Sequence, residues 1–141
     1  MEFNTPRTDI GFLVKLIYDA VDRSINDELK DTGLTHSQLS VLDYLSYRKD
    51  RRTTITDIAE DFCIKHPTST GLVNRMEQNG FVETVEDSTD KRARLVKATN
   101  KFDRDTSEVR IATEAKLLKG FTEEERRALS AMLVRVYENI K

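Results

Sequence analysis

Between Thr54 and Thr99 the apolar residues change their spacing, and this change limits the folds that the chain can adopt. Two short segments first show the period of amphipathic helices, and two shorter ones then show the composition of strands. The helical positions are Ile55, Ile58, Ala59 and Phe62, followed by Leu72, Val73 and Met76. The strand positions are Phe81, Val82 and Val85, followed by Leu95 and Val96. A helix, a turn, a second helix and a two-stranded ribbon in this order predict a winged helix-turn-helix.

Turn-forming residues separate these elements at suitable places. Pro67 fits the first turn of the second helix, where its missing N–H costs no hydrogen bond. Gly80 favours the end of that helix, and residues 87–90 (Asp-Ser-Thr-Asp) have the composition of a turn between the strands. Residues 53–55 are expected to add a short strand to the ribbon.

The second helix is expected to read DNA. Opposite its apolar positions it carries small, hydrogen-bonding or cationic residues, namely Thr68, Thr70, Gly71, Asn74, Arg75 and Gln78. Base edges in the major groove present a donor–acceptor code, so Asn74 is expected to pair with adenine and Arg75 with guanine or phosphate. For Arg75 the alternative is an ion pair within the subunit, and for Thr68 it is a backbone hydrogen bond in the first turn. The predicted DNA contacts of this helix are Thr68, Ser69, Thr70, Asn74 and Arg75.

The charge distribution points to the same segment. The net charge is −2, but residues 63–101 carry 7 basic and 5 acidic side chains, whereas residues 1–62 carry 8 and 12 and residues 102–141 carry 8 and 8. Within this net-positive segment the ribbon carries Lys91, Arg92 and Arg94, which we predict to contact DNA phosphates. Arg92 is expected either to anchor the ribbon through Asp90 or to touch the sugar-phosphate backbone. A solvated strand edge is the structural alternative for these cations.

Helices are predicted on both sides of the reading motif. Residues 1–7 are expected to form a leader, and an amphipathic helix follows from Asp9 until Gly33. Thr35 with Gln38 and Thr122 with Glu125 form capping boxes for two further helices, and a long helix is expected after Thr99, ending at Gly120. The apolar faces of the terminal helices are expected to form a homodimer, with folding back onto the same chain as the alternative. The predicted interface residues are Leu13, Ile17, Leu129, Leu133, Val136 and Tyr137.

Composition excludes several other classes of protein. The 141 residues fit one domain, and no apolar run approaches the length of a membrane span, so a cytoplasmic protein is expected. One cysteine and two separated histidines give no metal-binding pattern, and no catalytic constellation or cofactor motif is present, so neither an enzyme nor a cofactor is predicted. Cys63 is expected to be a small buried apolar residue rather than a redox sensor. His36 and Tyr18 either face a ligand pocket or serve as ordinary cap and core residues.

Several segments of the chain together resemble one known family. They are residues 33–35 (Gly-Leu-Thr) with Gln38 and residues 41–42, residues 56–59, residues 70–77 (Thr-Gly-Leu-Val-Asn-Arg-Met-Glu) with Gly80, and residues 87–92 followed by residues 95–97 and Thr99. In their order and content they resemble the MarR (multiple-antibiotic-resistance regulator) family, over nearly the whole chain.

The resemblance implies a mainly α fold with a small β-wing, in which dimerisation helices flank the winged helix-turn-helix. It implies a single domain over residues 1–141, with a DNA-binding lobe at about residues 35–99 and dimerisation helices at 8–32 and 100–141. It further implies a dimeric regulator, commonly a repressor, of double-stranded DNA with a palindromic operator. A small aromatic or anionic effector, or an oxidant, relieves DNA binding in such proteins. The alternative is a winged-helix adaptor that binds protein rather than DNA.

Overall fold

The computed structural model describes residues 9–49 and 51–141, and the predicted leader at residues 1–7 lies outside these ranges. The described part is mainly helical with one small sheet, as predicted. Its helices are α1 (Ile10–Leu29), α2 (His36–Tyr47), α3 (Ile55–Asp61), α4 (His66–Gln78), α5 (Thr106–Leu117) and α6 (Glu123–Ile140). Its strands are β1 (Val82–Glu86) and β2 (Arg94–Ala98), which lie between α4 and α5. The order of elements is that of a winged helix-turn-helix flanked by further helices.

The helix starts follow from local capping chemistry. The predicted capping boxes are both present, at Thr35 with Gln38 before α2 and at Thr122 with Glu125 before α6. A third capping box precedes α3, where the Thr54 hydroxyl accepts from the Asp57 amide and the Asp57 carboxylate accepts from the Thr54 amide. Each box satisfies two amides that the first helical turn would otherwise leave without a partner.

The helix that follows the wing begins later than the apolar pattern indicated. Phe102 lies before it, because α5 starts only at Thr106. The Asp105 carboxylate accepts from both the amide and the hydroxyl of Ser107, at 2.9 and 2.7 Å, and the Thr106 hydroxyl donates to Asp43 on α2 at 2.9 Å. These contacts fix the first turn of α5, and the prediction of a long helix from shortly after Thr99 was wrong at its start.

The wing is a two-stranded antiparallel ribbon. Val82 pairs with Ala98 at its base, and Glu86 pairs with Arg94 near its tip. Thr54 forms a bridge with Leu95, and the Val96 amide donates to the Thr53 carbonyl at 2.9 Å. The expected short strand at residues 53–55 is therefore present only as this isolated bridge. It ties the start of α3 to the inner edge of the wing.

The described chain forms two compact units, one up to Glu108 and one from Val109 to Lys141. The core of the first unit brings apolar side chains from α1 to α4 together with the base of the wing. Its most buried members include Leu29, Val41, Ile58, Val73, Met76 and Val82. In the second unit, α6 has no buried residue. Among the described residues, none of the helices combines the length and apolar character of a membrane span.

Candidate nucleic-acid interface

The reading motif consists of α3, a four-residue turn and α4. Cys63 in the turn adopts a left-handed backbone conformation with φ of 53°, and the Ile64 amide donates to the Ala59 carbonyl at 3.0 Å. The prediction that Cys63 is buried was wrong, since its side chain is exposed. The reason is that residue 63 reverses the chain direction between the two helices, which leaves its side chain outside the core.

α4 has one buried face and one exposed face. The buried face consists of Ser69, Leu72, Val73 and Met76, which pack into the core of the first unit. The exposed face contains the exposed Thr68, Asn74, Arg75 and Gln78 and the half-exposed Gly71. Because residues three and four positions apart are neighbours on a helix surface, these residues form one continuous stripe. The structure thus brings three of the five predicted contacts on this helix, namely Thr68, Asn74 and Arg75, onto one accessible surface.

Ser69 does not belong to that surface, and its prediction as a DNA contact is corrected. The residue is 0% exposed, and its hydroxyl donates to the Ile55 carbonyl at 2.9 Å. A buried hydroxyl requires such a partner, because leaving it without a hydrogen bond costs about 1–3 kcal/mol. Ser69 therefore joins α4 to the first turn of α3 and sets the spacing of the two helices.

Thr70 is only half-exposed, and its hydroxyl is used locally. It donates to the His66 carbonyl at 3.0 Å and lies 3.4 Å from the His66 ring. Thr70 thus makes the kind of backbone hydrogen bond that was expected as the alternative role of Thr68. Lys65 is the N-cap residue, and no acidic side chain lies in the first turn. The positive end of the helix dipole is therefore not neutralised by a carboxylate from its own first turn.

A polar network joins α4 to the wing. One Glu77 carboxylate oxygen accepts from the Thr84 amide at 2.7 Å and from the Thr84 hydroxyl at 2.5 Å. The Arg94 guanidinium donates to the Thr84 hydroxyl and lies 3.9 Å from the second Glu77 oxygen. The hydrogen bonds from Thr84, with a smaller contribution from Arg94, hold the pKa of Glu77 below its ordinary value of 4.5. Arg94 is half-exposed on β2 but held within this network.

The wing turn is organised by Asp87, which is only 3% exposed. One of its carboxylate oxygens accepts from the amide and the hydroxyl of Thr89, each at 3.1 Å. The other oxygen pairs with the guanidinium of Arg52, from the connection between α2 and α3. A buried carboxylate needs both kinds of partner to offset its loss of hydration. Arg52 thus anchors the wing to the segment that leads into α3.

Asp90 was expected to hold the Arg92 side chain, but the structure shows it bonded to the Arg92 backbone instead. Its carboxylate accepts from the backbone amide of Arg92 at 3.0 Å, so it shapes the turn through the main chain. Among the described residues no ion pair joins Asp90 to the Arg92 guanidinium, and the anchoring pair of the wing is Arg52 with Asp87 instead. Lys91 and Arg92 are exposed at the tip, where two cationic side chains project from a short ribbon.

The end of α3 is fixed by a cluster of Tyr44 on α2, Arg48 directly after α2 and Phe62 directly after α3. The Tyr44 hydroxyl donates to Asp61 at 2.5 Å, and the Tyr44 ring meets Phe62 edge to face at 5.3 Å between centroids. Burial, together with this hydrogen bond to a carboxylate, raises the pKa of Tyr44 to about 12. Arg48 stacks over the same ring, and its guanidinium donates to the Thr53 hydroxyl at 3.1 Å. The cluster therefore holds both ends of α3 against α2.

The predicted interface residues lie on α1 and α6 and are accessible in the single chain. On α1, Leu13 is half-buried and Ile17 is 54% exposed. On α6, Leu129 is half-buried, while Leu133, Val136 and Tyr137 are 47%, 44% and 48% exposed. His36 has a structural partner, because its ring lies 2.9 Å from Asp22 on α1 and its amide donates to Asn26 at 2.8 Å. Tyr18 is exposed and its ring centroid is 6.4 Å from that of His36.

Sequence reasoning missed three groups of residues that position the interface. The capping box of α3 had a readable signal, because Thr54 is followed three positions later by Asp57. No sequence signal indicated the pairing of Arg52 with Asp87 or the network of Glu77, Thr84 and Arg94, since the members of each lie on different segments and are chemically ordinary. Within the described ranges, no three His, Cys, Asp or Glu side chains come together as a metal site.

Comparison with known proteins gives consistent matches. Residues 32–93 match the model of the MarR family. The Bacillus subtilis HTH-type transcriptional regulator YwoH is 31% identical over 113 residues, which cover 78% of this chain and 80% of YwoH. The B. subtilis HTH-type transcriptional repressor MdtR is 26% identical over 121 residues, covering 84% of this chain and 77% of MdtR. The fold matches that of S. aureus MepR in its DNA complex with a TM-score of 0.89 at 21% identity, covering 96% of this chain and 100% of MepR.

Proposed function

The chain belongs to the MarR family of transcriptional regulators, and from this premise we propose that it is a dimeric repressor that inserts α4 into the major groove of a palindromic operator. The observation that carries the proposal is the exposed stripe of α4. It presents Thr68, Asn74 and Arg75 on one side of a helix whose opposite side is buried. Side chains of these types recognise base edges and phosphates.

The wing supplies the second contact in this proposal. Lys91 and Arg92 reach phosphates of the same half-site from the exposed tip of the ribbon. Arg52 with Asp87 at the turn, and Glu77 with Thr84 along β1, hold the wing against the reading motif. With the wing held this way, the α4 stripe and the tip cations meet DNA as one preorganised surface, which avoids an ordering cost on binding.

The proposal divides the chain by role. Residues of about 35–99 form the DNA-binding lobe of a single MarR-like domain, and residues 8–32 and 100–141 supply the dimerisation helices. Their exposed apolar side chains, Ile17 on α1 and Leu133 and Val136 on α6, support this assignment. A two-fold dimer presents two copies of α4 to two half-sites, which matches operator palindromy.

Repression relieved by a small aromatic or anionic effector, in the cytoplasm, is the regulatory part of the proposal. Its support is the family membership together with the likeness to MdtR, which is named a repressor. A dimer that covers an operator blocks access to the promoter, and an effector that prefers another conformation of the dimer lowers the population able to bind.

Selection of bound sites from random double-stranded DNA tests the proposal directly. A palindromic consensus is expected, and affinity for it should fall steeply as salt rises, because each phosphate contact releases counterions. Failure to enrich any sequence, together with a flat salt dependence, would contradict DNA reading. That outcome would favour the adaptor that binds protein through the same surface.

A further inference from the structure

Gly71 occupies the middle of the exposed stripe of α4, which is an unfavourable place for a glycine. It is the sixth residue of a helix that runs from His66 to Gln78. A glycine inside a helix is less stable than an alanine there, because the unfolded chain loses more conformational freedom when it folds. A glycine at such a position therefore calls for a reason in the backbone, in the packing or in a bound partner.

Backbone conformation and packing do not supply that reason. The glycines with left-handed φ angles are Gly33, Gly80 and Gly120, and Gly71 is not one of them. A Cβ atom built on Gly71 would meet a single group within 4 Å, the Arg75 guanidinium, with Nη1 at 3.8 Å. This distance is ordinary van der Waals contact with the mobile end of a side chain. An alanine thus fits at position 71 without displacing any described part of the chain.

We propose that Gly71 is a specificity-determining residue, the point where the backbone of α4 comes closest to the base edges of the major groove. The inference rests on the proposed function, since it requires α4 to be the reading helix. Thr68 lies one turn before Gly71, and Asn74 and Arg75 lie one turn after it on the same stripe. A methyl group at position 71 would push the helix away from the groove. The hydrogen bonds of Asn74 and Arg75 to bases would lengthen, and such bonds weaken beyond about 3.2 Å.

The variant Gly71→Ala separates this role from a role in folding, because the two give opposite results. The midpoint of thermal unfolding should rise by about 1–4 °C, as expected for removing a glycine from a helix of this chain. Affinity for the selected operator should fall by about tenfold or more, the loss expected when a specific base contact is impaired. Binding to random DNA, which depends on phosphate contacts, should change little.

Gly11→Ala is the matched control. Gly11 is an exposed glycine in α1, and its added Cβ would meet only the Asp9 carboxylate, at 3.6 Å. It lies two positions from Leu13 and so points to another side of α1 than the predicted interface. This variant should bind the operator as the unaltered protein does.

The remaining outcomes each decide the proposal. Unchanged operator affinity of Gly71→Ala would overturn it, and so would a lower unfolding midpoint, which would mean that the fold itself needs the glycine. The operator penalty should also persist when Arg75→Ala is already present. If it disappeared there, Gly71 would act only through Arg75, and close backbone approach would be wrong. Operator binding by the unaltered protein is measured first, so that failure of the proposed function is seen separately.

Discussion

Ser69 and Asn74 belong to the same helix but have opposite environments, which decides what a substitution at each position would do. Ser69 is buried and bonded to the Ile55 carbonyl, whereas Asn74 and its neighbour Arg75 are exposed. Replacing Ser69 is therefore expected to change the stability of the fold. Replacing Asn74 or Arg75 is expected to change the affinity for a bound partner.

The prediction at this scale compares three alanine variants. Asn74→Ala and Arg75→Ala should each weaken operator binding by about 1–3 kcal/mol and leave the unfolding midpoint nearly unchanged, because each removes an exposed side chain that we propose contacts a base. Ser69→Ala should lower stability by about 1 kcal/mol through the lost buried hydrogen bond, while operator preference is retained. Fluorescence anisotropy with the selected site and thermal unfolding measure the two quantities. Equal binding by both exposed-site variants and the unaltered protein would mean that α4 is not the reader.

At the scale of the elements, the polar contact between α4 and the wing depends on the ionised carboxylate of Glu77. Its carboxylate accepts two hydrogen bonds from Thr84 on β1 and faces Arg94 on β2. The ionised form is favoured in the folded state, because the pKa of Glu77 is lowered there. Its contribution to stability is therefore complete above pH 4.5, the ordinary pKa, and is lost as the pH falls below that value.

The variant Glu77→Gln tests this contact between α4 and the wing. The variant should be less stable than the unaltered protein at neutral pH, and the difference should shrink as the pH is lowered below 4.5, because protonation removes the same charge from the unaltered protein. Thermal unfolding of both proteins across the acid range measures it. Glu83→Gln, an exposed glutamate next to Thr84 on β1, is the control and should show no such convergence. A stability difference independent of pH would rule out the carboxylate as the cause.

The cations of the wing differ in what they contact within the chain, so they give different tests of DNA contact. Lys91 is exposed at the tip, whereas Arg94 is held by Thr84 and Glu77. Lys91→Ala should reduce the slope of log affinity against log salt by about one per half-site and leave base preference unchanged. Arg94→Ala should additionally lower stability, because it opens the network. Lys119→Ala, at an exposed lysine beyond α5, is the control, and a Lys91→Ala slope equal to that of this control would exclude a phosphate contact by Lys91.

At the scale of the whole molecule, most of the large apolar side chains that are exposed in the single chain lie on the terminal helices α1 and α6. Leu133 and Val136 on α6 remain about half-exposed in the single chain. Such a stripe favours association, since burying it against a second copy removes apolar area from water.

Leu133→Glu should therefore shift the protein from dimer to monomer. Each dimer would have to bury two unpaired carboxylates, which should weaken association more than about a hundredfold. Sedimentation velocity over a range of concentrations gives the measurement. Arg127→Glu introduces an acid on another side of α6 and should leave the dimer intact. A mass of one chain for the unaltered protein at micromolar concentration would contradict the dimer proposal.

The sequence by itself determined the features that depend on neighbouring residues. The capping boxes at Thr35 and Thr122, the end of α4 before Gly80 and the two strands of the wing follow from hydrogen bonds and apolar periods within a few positions. The exposed positions of Asn74 and Arg75 also follow, because the helical period separates them from Leu72, Val73 and Met76.

Only the tertiary structure decided which polar side chains would be used internally. Ser69 lies within the reading stretch, and its hydroxyl is taken by a carbonyl fourteen positions earlier. Arg94 and Arg92 look alike in the sequence, yet β-pairing places Arg94 beside Thr84 and leaves Arg92 at the tip. Asp87 resembles an ordinary turn residue until the fold brings Arg52 to it. The physical reason is that a charged or hydroxyl side chain bonds whichever partner packing places within reach, and packing depends on contacts between segments far apart in the chain.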